Sequence, residues 1–166
     1  MAKLGFPGVI VAAPHALAGL DIPSNIRVIP GGLGYDECHK LAQGALVNVI
    51  PLGDDQTPCG TVTVVDAMRM GCSIVATRCI GTEDYIANDH SGLLVSLGDV
   101  DGMAAAIRRL WENGTQRMLF AQNAAEFARK NLSDEAAGVR LSDILSQVEQ
   151  EWRAARVLTV CEETTA

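Results

Sequence analysis

Aromatic residues are scarce. Phe, Trp and Tyr make up 4% of the 166 residues, although apolar residues of all kinds reach 48%. A core must therefore be assembled from Val, Ile, Leu, Ala and Met, and the length is enough for one domain with a real core. Positive charge is also in short supply. Lys and Arg total 13 against 20 Asp and Glu, for a net charge of −7, and no basic cluster occurs along the chain. Binding to nucleic acid or to an anionic bilayer by counterion release needs such a patch, so neither partner is expected. No apolar run is long enough to span a bilayer. The five cysteines (Cys38, Cys59, Cys72, Cys79 and Cys161) include no C-x-x-C pair. This argues against a disulfide framework or zinc site and for a reducing, cytoplasmic compartment. His15, His39 and His90 stand far apart and read as surface or turn residues rather than metal ligands.

The first twenty residues, MAKLGFPGVIVAAPHALAGL, carry Lys3 and an Ala16-Leu17-Ala18 that resembles a cleavage site. Pro7 and Pro14 leave only GVIVAA uninterrupted, and a secretory signal needs a longer run. A first buried strand is the expectation.

What the chain does have is glycine, 16 in all, which suits an α/β protein with tight turns. Apolar runs at residues 8–14, 25–30, 46–52, 73–77 and 92–95 read as strands. Between them, residues 35–45 read as a helix with Cys38, Leu41, Ala42 and Ala45 on one face. Residues 61–70 read as another, closed by Gly71 in the left-handed conformation. A short helix is expected over 82–89 with Thr82 as its cap. Helices at about 100–113, 115–131 and 133–156 follow, the last capped by Ser133 with acids in its first turn. Strands alternating with helices indicate βαβ units and a doubly wound parallel sheet. There is no internal repeat and no linker. Residues 1–156 are expected to form one Rossmann-like domain, with residues 157–166 a frayed tail.

Ligands of open α/β sheets sit beyond the carboxyl ends of the strands. Three loops lie there: PGGLG (30–34), GDDQTPCGT (53–61) and RCIGTED (78–84). GGLG lacks the third glycine of a dinucleotide fingerprint and reads as a turn. The second loop opens the helix at Thr61. Free amides at a helix start, with Gly60 allowing close approach, make an anion site. Asp66, about one and a half turns on, can face the same pocket, as a carboxylate for ribose hydroxyls beside amides for phosphate. The other reading is that Gly60 only makes a turn and Asp66 is solvated.

These residues also resemble a known family. The segment VIPLGDDQTPCGTVTVVDAMRMGCSIVATRCIGTEDYIANDHSGLLVSLGDVDGMAAAI is similar to the carboxy-terminal domain of glycosyltransferase family 4, the group 1 transferases of the GT-B fold. DAMRMG stands for E-A-M-x-x-G, SIVAT for P-V-V-A-T, GTEDYI for G-x-x-E-x-I, and SGLLVSLGD for the strand and turn after it. IRVIPGGLGYDECHKL resembles the preceding segment, and the likeness covers residues 25–132.

The resemblance implies that Asp66 takes the place of a glutamate that binds the ribose of a sugar nucleotide. It puts Gly60, Thr61 and Val62 at the diphosphate and Leu33 near the base, with Cys59 also among the donor-binding residues. Catalytic residues are not assigned. A nucleotide-diphosphate sugar is implied as substrate, with no cofactor and no metal.

Pro58 stands where the family has the acid that contacts the donor sugar, and the glycine sits one place early. Asp54 and Asp55 are out of register. The family's diphosphate-neutralising Arg and Lys lie on an upstream strand and helix that this chain is expected to lack, and its acceptor-binding domain is expected on a separate domain or chain.

Three readings follow. One is the donor-binding portion of a retaining glycosyltransferase, moving a hexose from a nucleotide sugar to an unknown acceptor. The second is a truncated or degenerate non-catalytic domain that binds a nucleotide or a protein partner. The third is another doubly wound module, such as a nucleotide-sugar epimerase relative.

Overall fold

The computed structural model describes residues 4–163. Contacts divide the chain after Glu126 into two compact units.

In the first unit, β1 (Gly8–Ala12) and β2 (Ile26–Pro30) are joined through a single 3-10 turn, Pro14–Leu17. They pair in parallel, with Gly8 opposite Ile26 and Ala12 opposite Pro30. The expected first strand is present, but Val9 and Val11 on it are each 43% exposed. A second parallel sheet has the order β3-β4-β5, from β3 (Asn48–Ile50), β4 (Ile74–Thr77) and β5 (Leu93–Val95). The helices α1 (Tyr35–Gly44), α2 (Thr61–Arg69) and α4 (Val100–Glu112) alternate with these strands, as a doubly wound α/β fold requires.

The parallel strands fall into two hydrogen-bonded sheets. β3 is shorter than the run at residues 46–52 suggests, because Pro51 has no N–H to give to a ladder. The next amide, Leu52 N–H, donates to the Thr77 hydroxyl at 2.9 Å instead.

All four residues of β4 are buried, the condition of a strand covered on both faces. Val75, Leu93 and Val95 from this sheet pack with Ile107 and Leu110 of α4 and with Phe120. On α2, Val64, Ala67 and Met68 are buried at the i, i+3, i+4 spacing that one helix face presents. Val64 and Met68, fully buried, each stabilise by about 1.5–3 kcal/mol. The helix stops as the sequence predicts. Gly71 has φ +67°, its N–H donates to Met68 O at 3.0 Å, and the Cys72 N–H donates to Ala67 O at 2.9 Å. This pair of bonds is a Schellman closure, and it sends the chain straight into β4.

The short helix after β4 corrects the sequence expectation. It is α3 (Ile80–Glu83), it begins after Cys79, and Thr82 does not cap it from solvent. Thr82 is fully buried. Its hydroxyl accepts from the Cys79 N–H at 2.9 Å and donates to Thr77 O at 2.8 Å. The side chain is drawn inward because the end of β4 leaves a carbonyl that must be satisfied away from water.

The second unit, from Phe127, holds the end of α5 (Gly114–Asn131) and α6 (Asp134–Glu163). The Ser133 hydroxyl accepts from the Ala136 N–H at 3.1 Å, as its expected capping role demands. No Gly or Pro follows Gly138, and α6 runs on to Glu163 past the end expected near residue 156. Of the expected frayed tail, residues 164–166 lie outside the described residues. Among the described residues no helix is long and apolar enough to cross a membrane.

Cys38 is exposed, whereas Cys72 and Cys79 are buried, and burial pushes the Cys72 thiol up. A brief iodoacetamide pulse on the native protein, read by mass spectrometry, should label Cys38 and leave Cys72 and Cys79 unmodified until denaturant is added. Labelling of Cys72 at the Cys38 rate would contradict the packing of α2 on β4.

Candidate functional site

Asp66 sits midway along α2 with its side chain 17% exposed. Its Oδ1 accepts a hydrogen bond from the Tyr35 hydroxyl at 3.1 Å. On the other side, His39 Nε2 lies 3.3 Å from Oδ2. That nitrogen is buried and makes no hydrogen bond, so the two groups are neighbours by distance and an ion pair only when the imidazole is protonated. Tyr35 and His39 are one turn apart on α1, with ring centroids 3.8 Å apart and planes tilted by 55°. Loss of water around the Tyr35 hydroxyl, then its bond to Asp66 and the nearby negative charge, raise the phenol above its usual value. The phenol therefore stays a neutral donor to the carboxylate.

These groups border a cavity of about 420 Å³ whose walls include Leu33, Tyr35, His39, Ile50, Val62 and Asp66. The structure thus brings three of the six residues singled out in the sequence, Leu33, Val62 and Asp66, to one cleft. Cys59, Gly60 and Thr61 are not on its walls; they form the entry to α2.

Gly60 is the N-cap of that helix with φ +73°. A Cβ there would lie 3.0 Å from Leu52 Cδ2. The fold itself thus calls for glycine at this position, through both the left-handed backbone and the close approach. The first helical bond runs from Val64 N–H to Gly60 O at 3.0 Å. Helix geometry leaves the preceding amides, those of Thr61, Val62 and Thr63, without an intrahelical partner, and such a tip favours anions.

The loop before α2 is self-organised. Asp54 accepts from the Gln56 N–H at 2.9 Å and from the Thr57 hydroxyl. The Thr57 bond foremost holds its carboxyl below the usual range. Asp54 therefore serves as a turn former. Pro58 sits directly under Gly81, where a Cβ would come within 2.8 Å of Pro58 Cα. The loops after β3 and β4 are in backbone contact, and Pro58 brings no carboxylate to them. Among the described residues no group of three or more His, Cys, Asp or Glu is arranged to hold a metal ion.

Sequence reasoning missed Tyr35 and His39 as partners of Asp66 and took His39 for a surface or turn residue. The signal was their spacing of four on a helix that begins just after Leu33. It points to a shared face but names no partner on another helix.

A cleft that offers a carboxylate, an apolar wall and, one turn away, unpaired helix amides can take a ligand with hydroxyls, a flat apolar part and an anion. The family model for glycosyl transferases group 1 matches residues 12–113. The lipopolysaccharide core biosynthesis glycosyltransferase LpsE of Rhizobium meliloti is 27% identical over 95 residues, covering 54% of this chain and 28% of LpsE. Among solved structures, Anabaena HepE in complex with UDP and glucose superposes with a TM-score of 0.70 at 16% identity, over 85% of this chain and 40% of HepE. The C-terminal domain of the group 1 glycosyl transferase LpcC from Francisella tularensis gives a TM-score of 0.57 at 16% identity, over 80% of this chain and 91% of that domain. The chain thus spans well under half the length of LpsE and HepE, and its fold is that of a GT-B glycosyltransferase domain. Matched over most of its length by the family model, the chain belongs to the glycosyl transferases group 1 family.

Proposed function

We propose that this chain is the donor-binding portion of a retaining glycosyltransferase that moves a hexose from a nucleotide-diphosphate sugar to an acceptor. The observation that carries the reading is the cleft between α1 and α2, with Asp66 on its wall and the α2 amides beside it. Asp66 accepts from the ribose hydroxyls, and Leu33 and Val62 cover the base. The amides of Thr61, Val62 and Thr63 face the diphosphate and stabilise the charge that develops as it leaves. HepE was captured with UDP and glucose, and LpsE is named for lipopolysaccharide core synthesis. The HepE complex supports a nucleotide sugar as donor, and the LpsE likeness supports a polysaccharide product; in this reading the reaction runs in the cytoplasm with an acceptor-binding domain or chain.

A second reading has one specific observation in its favour. Pro58, packed beneath Gly81, occupies the place of the acid that would contact the donor sugar. A domain that binds the nucleotide without turning it over would tolerate that change.

Calorimetric titration with UDP-, GDP- and ADP-sugars tests binding. At least one should bind. Asp66→Ala should weaken that binding about 10-fold or more, the scale of a lost hydrogen bond to a charged group. Absence of heat with every nucleotide would remove the donor reading. Binding with no release of sugar in the presence of extracts containing acceptors would favour the non-catalytic one.

A further inference from the structure

We infer that Tyr35 and His39 are positioning residues for Asp66, and that this α1 pair sets how strongly the cleft prefers a ribonucleotide over its deoxy counterpart. The inference rests on the nucleotide reading above and deepens it.

Asp66 is one methylene shorter than the glutamate of the family pattern. Its carboxylate therefore stays close to α2, and its terminal torsion is a broad one with little intrinsic preference. Something must fix the plane of the carboxylate if it is to read two hydroxyls at once. The Tyr35 hydroxyl takes one site on Oδ1 at 3.1 Å. His39 Nε2, 3.3 Å from Oδ2 and shut off from solvent without a hydrogen bond, stands against the other oxygen. A carboxylate offers about four lone-pair sites. The Tyr35 bond occupies one of these sites on Oδ1, and His39, in contact but unbonded, flanks Oδ2, so each oxygen keeps a site for a ligand in the cavity. That is the pattern a vicinal diol satisfies, one hydroxyl per oxygen. Tyr35 is itself held by the His39 ring at 3.8 Å, so the two side chains act as one brace. The charged groups facing this brace are Asp66 from α2, with Arg69 of α2 and Asp36 of α1 close to Tyr35.

The test uses the full chain and calorimetric titration with UDP, ADP and GDP, each beside its 2′-deoxy form. Tyr35→Phe keeps the ring and removes the hydroxyl. The ratio of ribo to deoxy affinity should fall about tenfold, a change of one hydrogen bond's order, with the deoxy affinity, which rests on the 3′-hydroxyl alone, falling much less. His39→Phe should act in the same direction. In an Asp66→Ala background, Tyr35→Phe should change nothing, because the pair acts through the carboxylate. A wild-type chain that binds ribonucleotides, with the ratio intact in Tyr35→Phe, would overturn the brace and leave the nucleotide reading standing. Equal weakening of ribo and deoxy forms would also overturn it, since that marks a purely structural role. A wild-type chain that binds none of the ribonucleotides would overturn the nucleotide reading and the brace together.

Discussion

Met68→Ala lowers stability by about 2–5 kcal/mol, the range for truncating a fully buried Met. The residue is completely shielded from solvent on the buried face of α2, beside Val64 and Ala67. Removal of its thioether chain leaves a void beneath α2, in a close-packed interior that relaxes only in part. Thermal unfolding followed by circular dichroism should show the midpoint fall by roughly 5–15 °C. A fall of less than about 2 °C would mean that α2 can collapse onto the gap. Asp66 lies two residues away on the same helix, so the variant should also bind nucleotides less tightly.

Gly81→Val has the next largest effect, and its cause is overpacking. A Cβ at Gly81 meets Pro58 Cα at 2.8 Å, the Thr61 methyl at 3.1 Å and the Pro58 carbonyl carbon at 3.2 Å. Two of those three atoms are backbone, which cannot swing aside as a flexible side chain can. The cost should reach the upper end of the roughly 1–3 kcal/mol typical of overpacked sites. The strain is local to the entry of α2. Amide NMR shifts of Gln56, Thr57 and Cys59 should move together, while those of α4 stay in place. A variant as stable as the parent, with unshifted loop amides, would show that the loops after β3 and β4 are not in contact.

The parts of the fold that local chemistry dictates were legible in the sequence. Gly71 announced the end of α2, because the left-handed residue of a helix stop favours glycine, and the run at residues 73–77 announced a strand buried on both sides. Asp66 was legible as an acid on a helix leading into the core. What escaped depended on partners distant in sequence. Thr82 reads as a cap by its type, and only the carbonyl left by Thr77 turns it inward. Tyr35 and His39 read as a polar helix face until α2 places a carboxylate 31 residues from Tyr35 against them. Gly60 was legible as a special position, but not that Leu52 packs against the place of its missing Cβ. The early end of β3 turns on Pro51, whose missing donor is plain in the sequence but whose effect on pairing is not.

The ribbon of β1 and β2 has a consequence of its own. Two paired strands are marginal alone, and this pair buries only Ile26 among its ten residues. Its hydrogen bonds are therefore among the cheaper in the unit to open. Under heat or mild denaturant this ribbon should open early, with the sheet around β4 still closed behind it.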